Sequence, residues 1–187
     1  MKKLFLLAFC LVICHTSYSQ TEEEMKAWEA YMTPTEMHKW LATLDGEWDA
    51  DITMWMDPSQ PPIKSKGTTT MKMIMDGRYQ HSDHTGEFAG MPFYGQSLVA
   101  FDNAKKKFIS TWIDTMGTGV MILEGTFDSK TKTMNLSGTM VDPISGADLN
   151  VKEVVTYTSE DSHKFEMFIV MGDTEMKSME IIYSRKK

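Results

Sequence analysis

Residues 48–56 read WDADITMWM, and their alternation decides the fold. Trp48, Ala50, Ile52, Met54 and Met56 fall on one side of an extended chain, with Asp49, Asp51 and Thr53 between them. Successive side chains of a strand point to opposite faces, so one face of this segment is built for burial and the other for water. The same period runs on to the C-terminus. Further strands are predicted over 64–75, 78–88, 93–102, 106–115, 119–127, 132–141, 148–158, 163–171 and 174–185. Between them stand Asp76-Gly77, Asn103, Gly117 and Gly119, Asp128, Pro143 and Gly146, Asp161, and Gly172-Asp173, the residue types that tight hairpins require. About ten strands joined by short hairpins, with no helix between them, make an all-β antiparallel meander. Closure into an up-and-down barrel removes its edges, and an open sandwich is the alternative.

Tight turns fix register, and register sorts the side chains. About Asp76-Gly77, Met75 faces Arg78, Met73 faces Gln80, Met71 faces Ser82 and Thr69 faces His84. Directly opposed residues share a face. One face therefore carries Met71, Met73 and Met75 with Arg78, Gln80 and His84, and the other carries Lys72, His81 and Asp83. The methionine face is the expected interior. About Asn103, Phe101 faces Phe108, Val99 faces Ser110, Ser97 faces Trp112 and Gly95 faces Asp114, which sets Trp112 and Asp114 inward as well. An interior mixed in this way suits a barrel that holds a ligand. KFEMFIVM and MKSMEIIY are apolar on both faces, which calls for an outer cover, a partner subunit or another register.

The N-terminal part is different. Lys2 and Lys3, the apolar run Leu4–Cys14 and the polar HTSYSQ with Ser17 and Ser19 form an export signal over residues 1–19. Neither cysteine follows a small residue (Phe9 precedes Cys10 and Ile13 precedes Cys14), so a lipid anchor is not expected. Both cysteines lie in the signal, and the exported chain has no disulfide, thiolate metal site or cysteine nucleophile. Without the two signal lysines, 17 of the 19 basic residues face 26 acidic ones, a balance that argues against nucleic acid and anionic membranes. Residues 20–44 form a helical cover and 45–187 the barrel domain. Thr21 with Glu24 reads as a capping box ahead of a Met25, Trp28, Met32 stripe. Thr33, Pro34 and Glu36 read as the start of a second helix with Met37, Trp40, Leu41 and Leu44 on one face. Both stripes are expected to dock on an end of the barrel.

LDGEW at 44–48, after a short helix and opening the first strand, resembles the Gly-x-Trp signature of the lipocalin and calycin barrels. The resemblance implies that Trp48 closes the barrel floor and that Arg185, near the end of the last strand, packs over it. More widely, MDGRY, GMPFYGQSLVAFDNAKKKFISTWIDTMGTGV, EGTFDSKTKTMNLSGTMVDPISG and EMKSMEIIYSRKK resemble the bacterial family called domain of unknown function 1579, across about residues 33–187. The features carrying the likeness are Gly77-Arg78, Phe101-Asp102, Trp112-x-Asp114, Gly125, Gly138, Asp142-Pro143 and Tyr183-x-Arg185. Phe101 stands where the family is expected to have tyrosine. The resemblance implies the barrel and no particular reaction.

Three functions follow. The first is an exported, non-enzymatic binder of a small, largely apolar molecule, with Met71, Met73, Met75, Phe101, Phe108 and Trp112 as wall and Arg78, His84 and Asp114 as orienting groups. The second is a barrel hydrolase or isomerase using Asp114 with His84 or Glu153, which must then come within a water's reach. The third is a homodimeric interaction module built on the doubly apolar C-terminal strands. No metal or cofactor is expected. His81 and His84 lie on opposite faces, methionine is too common here (18 residues) to mark a copper site, and the only late histidine, His163, sits by a turn, which disfavours haem.

Overall fold

The structure, a computed structural model, describes residues 21–57 and 59–187. The expected export signal lies outside the described residues. Two helices, α1 (Glu22–Met32) and α2 (Glu36–Ala42), precede ten strands. These are β1 (Gly46–Met54), β2 (Ile63–Ile74), β3 (Tyr79–Phe88), β4 (Met91–Asp102), β5 (Lys107–Asp114), β6 (Met121–Asp128), β7 (Thr133–Val141), β8 (Asp148–Ser159), β9 (Ser162–Met171) and β10 (Thr174–Arg185). Each strand pairs antiparallel with the next, and β10 pairs back onto β1 from Trp48↔Arg185 to Met54↔Met179. That last ladder closes the barrel and rules out the open sandwich. β1 stops at Met54, so Met56 lies beyond the strand and is exposed, not inward.

One end of the barrel is plugged. The apolar stripe of α2 lies across it: Leu41 and Leu44 are buried, and Trp40 stacks on Phe127 with ring centroids 4.2 Å apart. Trp40 also meets Phe108 and Tyr157 edge-on. Polar bonds lock the plug in place. Gln80 Nε2 donates to Leu41 O at 2.6 Å, and Met73 N donates to the Asp45 carboxylate at 3.0 Å. Beneath α2, Trp48 is 0% exposed and donates its indole N–H to Leu44 O at 2.9 Å. The Arg185 guanidinium lies 4.2 Å from the Trp48 ring centroid. It donates to the carbonyls of Asp45 (2.7 Å), Thr43 (2.8 Å) and Glu160 (3.1 Å). The floor expected from LDGEW and Arg185 is present.

The helices depart from expectation in two ways. The second starts two residues late, with Thr35 as N-cap, and Thr33 instead closes α1, its N–H and its hydroxyl both donating to Glu29 O. The partner that turns back to the cap is His38, whose Nδ1 accepts from Thr35 N at 3.0 Å, and not Glu36. α1 keeps its Thr21–Glu24 capping box but buries no residue, and Trp28 is 53% exposed. Its C-terminal end is held by one side chain, Asn103, whose Nδ2 donates to Ala30 O, Tyr31 O and Thr33 O. Tethering by Asn103, without burial of the Met25, Trp28, Met32 stripe, replaces the expected docking.

Candidate functional site

Barrel closure gives each strand an inner face. From the pairing, the inner positions include Ser65, Gly67, Thr69, Met71 and Met73 on β2, Gln80, Ser82 and His84 on β3, and Phe93, Gly95, Ser97, Val99 and Phe101 on β4. They continue as Phe108, Ser110, Trp112 and Asp114 on β5, then Val151, Glu153, Val155 and Tyr157 on β8, and Phe165, Met167 and Ile169 on β9. The half toward α2 is filled: Phe108 is 1% exposed, and Met71, Met134, Leu136 and Tyr183 are buried with it. Toward the other end Trp112, Met121, Met140, Met167, Ile169 and Met179 point inward and are only partly buried.

The register expected about Asp76-Gly77 and Asn103 is the one observed, from Met73↔Gln80 to Thr69↔His84 and from Phe101↔Phe108 to Gly95↔Asp114. Two candidate residues nonetheless leave the lumen. The β2–β3 ladder ends at Ile74↔Tyr79, and Met75, Asp76 and Gly77 turn through successive positive φ values of 50°, 55° and 79°. That wider loop throws Met75 into solvent (67% exposed) and swings Arg78 outside. Arg78 donates to Met75 O at 3.1 Å and lines a surface groove of about 320 Å³ beside Trp28 and Asn103. Neither residue is part of the barrel wall. A second groove, of about 820 Å³, lies outside the plugged end between Trp40, Phe127, Tyr157 and Arg185.

Six of the remaining candidates separate by depth. Met71, Met73, Phe101 and Phe108 belong to the filled half, with Phe101 edge-on to His38. His84 and Trp112 meet toward the open half, ring centroids 5.0 Å apart. Gly95 lets the indole fit: a Cβ there would sit 2.6 Å from the Trp112 ring, inside any tolerable contact. His84 Nδ1 shares a hydrogen bond with the Thr69 hydroxyl at 2.9 Å, while Nε2 is shut from solvent without a partner. Burial holds this imidazole neutral, down at about 4, against a small upward pull from Asp83.

Asp114 is a clamp. Its Oδ2 accepts the Trp112 indole N–H at 2.6 Å and its Oδ1 accepts Met116 N in the following turn at 2.8 Å. The carboxylate closes the strand end and orients the indole, so the acid–base role considered for it is not carried. Asp114→Ala is expected to destabilise the barrel by about 1.5–3 kcal/mol, the usual range for a hydrogen bond to a charged group. The released indole should shift its emission to the red, which equilibrium urea unfolding and fluorescence check together.

Sequence reasoning named Glu153 only as a partner for Asp114, and the structure gives it more weight. It is 7% exposed, faces inward between Leu136 on β7 and Met167 on β9, and has neither hydrogen-bond nor ion-pair partner among the described residues. Desolvation pushes its carboxyl up to about 7. The signal was a lone carboxylate on the otherwise apolar face Val151, Glu153, Val155. On the outer wall, His81 and Asp83 face each other at 3.5 Å, away from His84. Lys152 and Lys177 lie across Phe168 at 5.7 and 5.8 Å, and Lys177 pairs with Glu166 and Glu180. Lysine stems therefore roof the apolar outside of β8–β10. Among the described residues no three His, Cys, Asp or Glu side chains gather as a metal site, and no helix is long and apolar enough to cross a membrane.

The family model described as "Protein of unknown function (DUF1579)" matches residues 33–185. No curated protein matches the chain. Among solved structures, the Rv2717c protein of M. tuberculosis superposes with a TM-score of 0.59 at 11% identity, over 83% of this chain and 100% of that one. The S-type phycobiliprotein lyase CPES of Guillardia theta superposes with a TM-score of 0.57 at 8% identity, over 81% and 93%. At these identities the likeness is one of fold.

Proposed function

We propose that this chain, which belongs to the DUF1579 family, binds a small, largely apolar molecule in the open half of its barrel. The observation that carries this reading is the set of inward side chains away from α2, Trp112, Met121, Met140, Met167, Ile169 and Met179, none of which is fully buried. Apolar surface left unburied inside a closed wall is stabilised by an apolar guest. Trp112 and His84 stay among the groups within reach of such a guest, Glu153 joins them, and Met75, Arg78 and Asp114 drop out. The fold it shares with a phycobiliprotein lyase is in keeping with this reading and adds no ligand identity to it.

Octan-1-ol titrated into the purified protein is expected to raise the melting temperature and to change tryptophan emission. The emission change should be lost in Trp112→Phe while the thermal shift remains. Saturating octanol that moves neither quantity would end the binding reading. Export belongs to the same proposal and rests on residues 1–19. N-terminal sequencing of protein recovered outside the cytoplasm should begin close to residue 20, and a chain that keeps Lys2 and Lys3 would contradict it.

A further inference from the structure

The lumen is lopsided in charge. Parity along the ladders turns Lys64, Lys66 and Lys72 of β2, Lys107 of β5, Lys152 of β8, Lys164 of β9 and Lys177 of β10 to the outside. Among the described strand residues Arg185 is the one cation on an inner face, and it is engaged at the floor by Trp48 and three backbone carbonyls. Two carboxyl groups face inward. Asp114, at the rim, is occupied by Trp112 and Met116. Glu153 is more than nine-tenths buried, sits in a collar of Leu136, Val151, Val155 and Met167, and has no hydrogen-bond or ion-pair partner among the described residues. A buried carboxyl in an apolar collar is unfavourable as an anion unless a cation or several donors are brought to it. The described residues bring neither.

The geometry points to a protonated amine carried on an apolar body as the ligand class of this lumen, with the ammonium on Glu153 and the body against Phe165, Met167 and the Trp112 side of the wall. This inference rests on the lumen-binding reading above and adds the charge of the guest. A primary ammonium supplies three donors and a full charge to a group that has neither, and nearby aromatic rings add attraction to a cation. A carboxylate guest would meet Glu153 and Asp114 with no free cation to receive it.

The other titratable groups near the site are Tyr183 on β10, which feels the charge of Glu153, His84 on β3 and, toward the floor, His163 on β9 and Tyr157 on β8. Burial keeps both histidines and both tyrosines neutral at pH 7 to 8, so Glu153 sets the charge of the inner wall there. Amine binding should weaken as pH falls through about 7, where the empty site takes up its proton.

The test compares octylamine, octan-1-ol and sodium octanoate, three guests of one body and different head, by isothermal calorimetry at pH 8 on the whole protein and on Glu153→Gln. The expected result is octylamine binding about tenfold or more tighter than octanol, with octanoate weakest. In Glu153→Gln the preference for the amine over the alcohol should be lost. Alcohol and amine binding alike, or an amine preference that survives Glu153→Gln, would overturn the amine assignment and leave the apolar binder standing. Tighter binding of octanoate would also overturn it. No binding by any of the three would bring down both readings.

Discussion

Trp48→Ala is expected to lower the unfolding free energy by about 3–5 kcal/mol, the range for removing a large buried aromatic side chain. Three contacts go with the ring. Trp48 is wholly buried, meets the His163 ring edge-on at 4.6 Å, and lies under the Arg185 guanidinium. Its indole N–H also satisfies Leu44 O, in the short link from α2 into β1. Alanine leaves that carbonyl buried and unpaired and leaves Arg185 a cation over a void. Trp48→Phe keeps most of the volume and should lose about half as much. A double-mutant cycle with Arg185→Met should return a coupling of about 0.5–2 kcal/mol, the strength of a cation on an indole face. Urea unfolding at pH 7 checks all three. A loss below about 1 kcal/mol for Trp48→Ala would mean that the floor does not hold the barrel together.

Glu153→Gln is expected to stabilise the protein, and only above acid pH. In the folded protein the Glu153 carboxyl keeps its proton to about 7, against 4.5 for the ordinary side chain. Between those values the folded state binds more protons than the unfolded one, so stability falls as pH rises from 4.5 to 7 and stays reduced above. Glutamine carries no such penalty. The variant should match the wild type near pH 4 and exceed it by about 3 kcal/mol at pH 8, an upper figure because water reaching the lumen would soften it. His84 and His163 act in the opposite direction. Burial lowers each from 6.5 to about 4, so their stability is present above 6.5 and is lost as pH falls to 4. In the wild type the two effects offset each other through the acid range. In Glu153→Gln the histidine loss stands alone, and the acid limb of the stability profile should steepen. Equal stability of the two proteins at pH 8 would show that Glu153 is solvated or paired.

A buried, unpaired carboxyl on an inner face supports the proposal that Glu153 is part of a site. The sequence reading reached Glu153 only as a partner for Asp114, although one charge on the Val151, Glu153, Val155 alternation was there to be read. Hairpin arithmetic was legible. Tight turns leave one register, and Met73↔Gln80 and Phe101↔Phe108 fall where turn chemistry puts them. Met75 and Arg78 escaped because Asp76-Gly77 looks like a two-residue turn, while the chain takes three residues through positive φ to make it. Nothing local marks that difference. Asn103 holding the end of α1 and Gln80 holding Leu41 were illegible for another reason: their partners are 70 and 39 residues away. The α2 start was displaced because Thr33 is taken up as the end of α1, and at Thr35 a histidine does the work usually given to glutamate.

The central claim, a lumen open to an apolar guest on the side away from α2, is tested most directly by NMR of the methionine methyl groups. Met121, Met140, Met167 and Met179 line the open half, while Met75, Met91 and Met116 face solvent outside the barrel. Adding octylamine at pH 8 should shift the four inner methyl signals in a saturable way and leave the three outer ones in place. Shifts confined to the outer methyls, or none at all, would contradict the account.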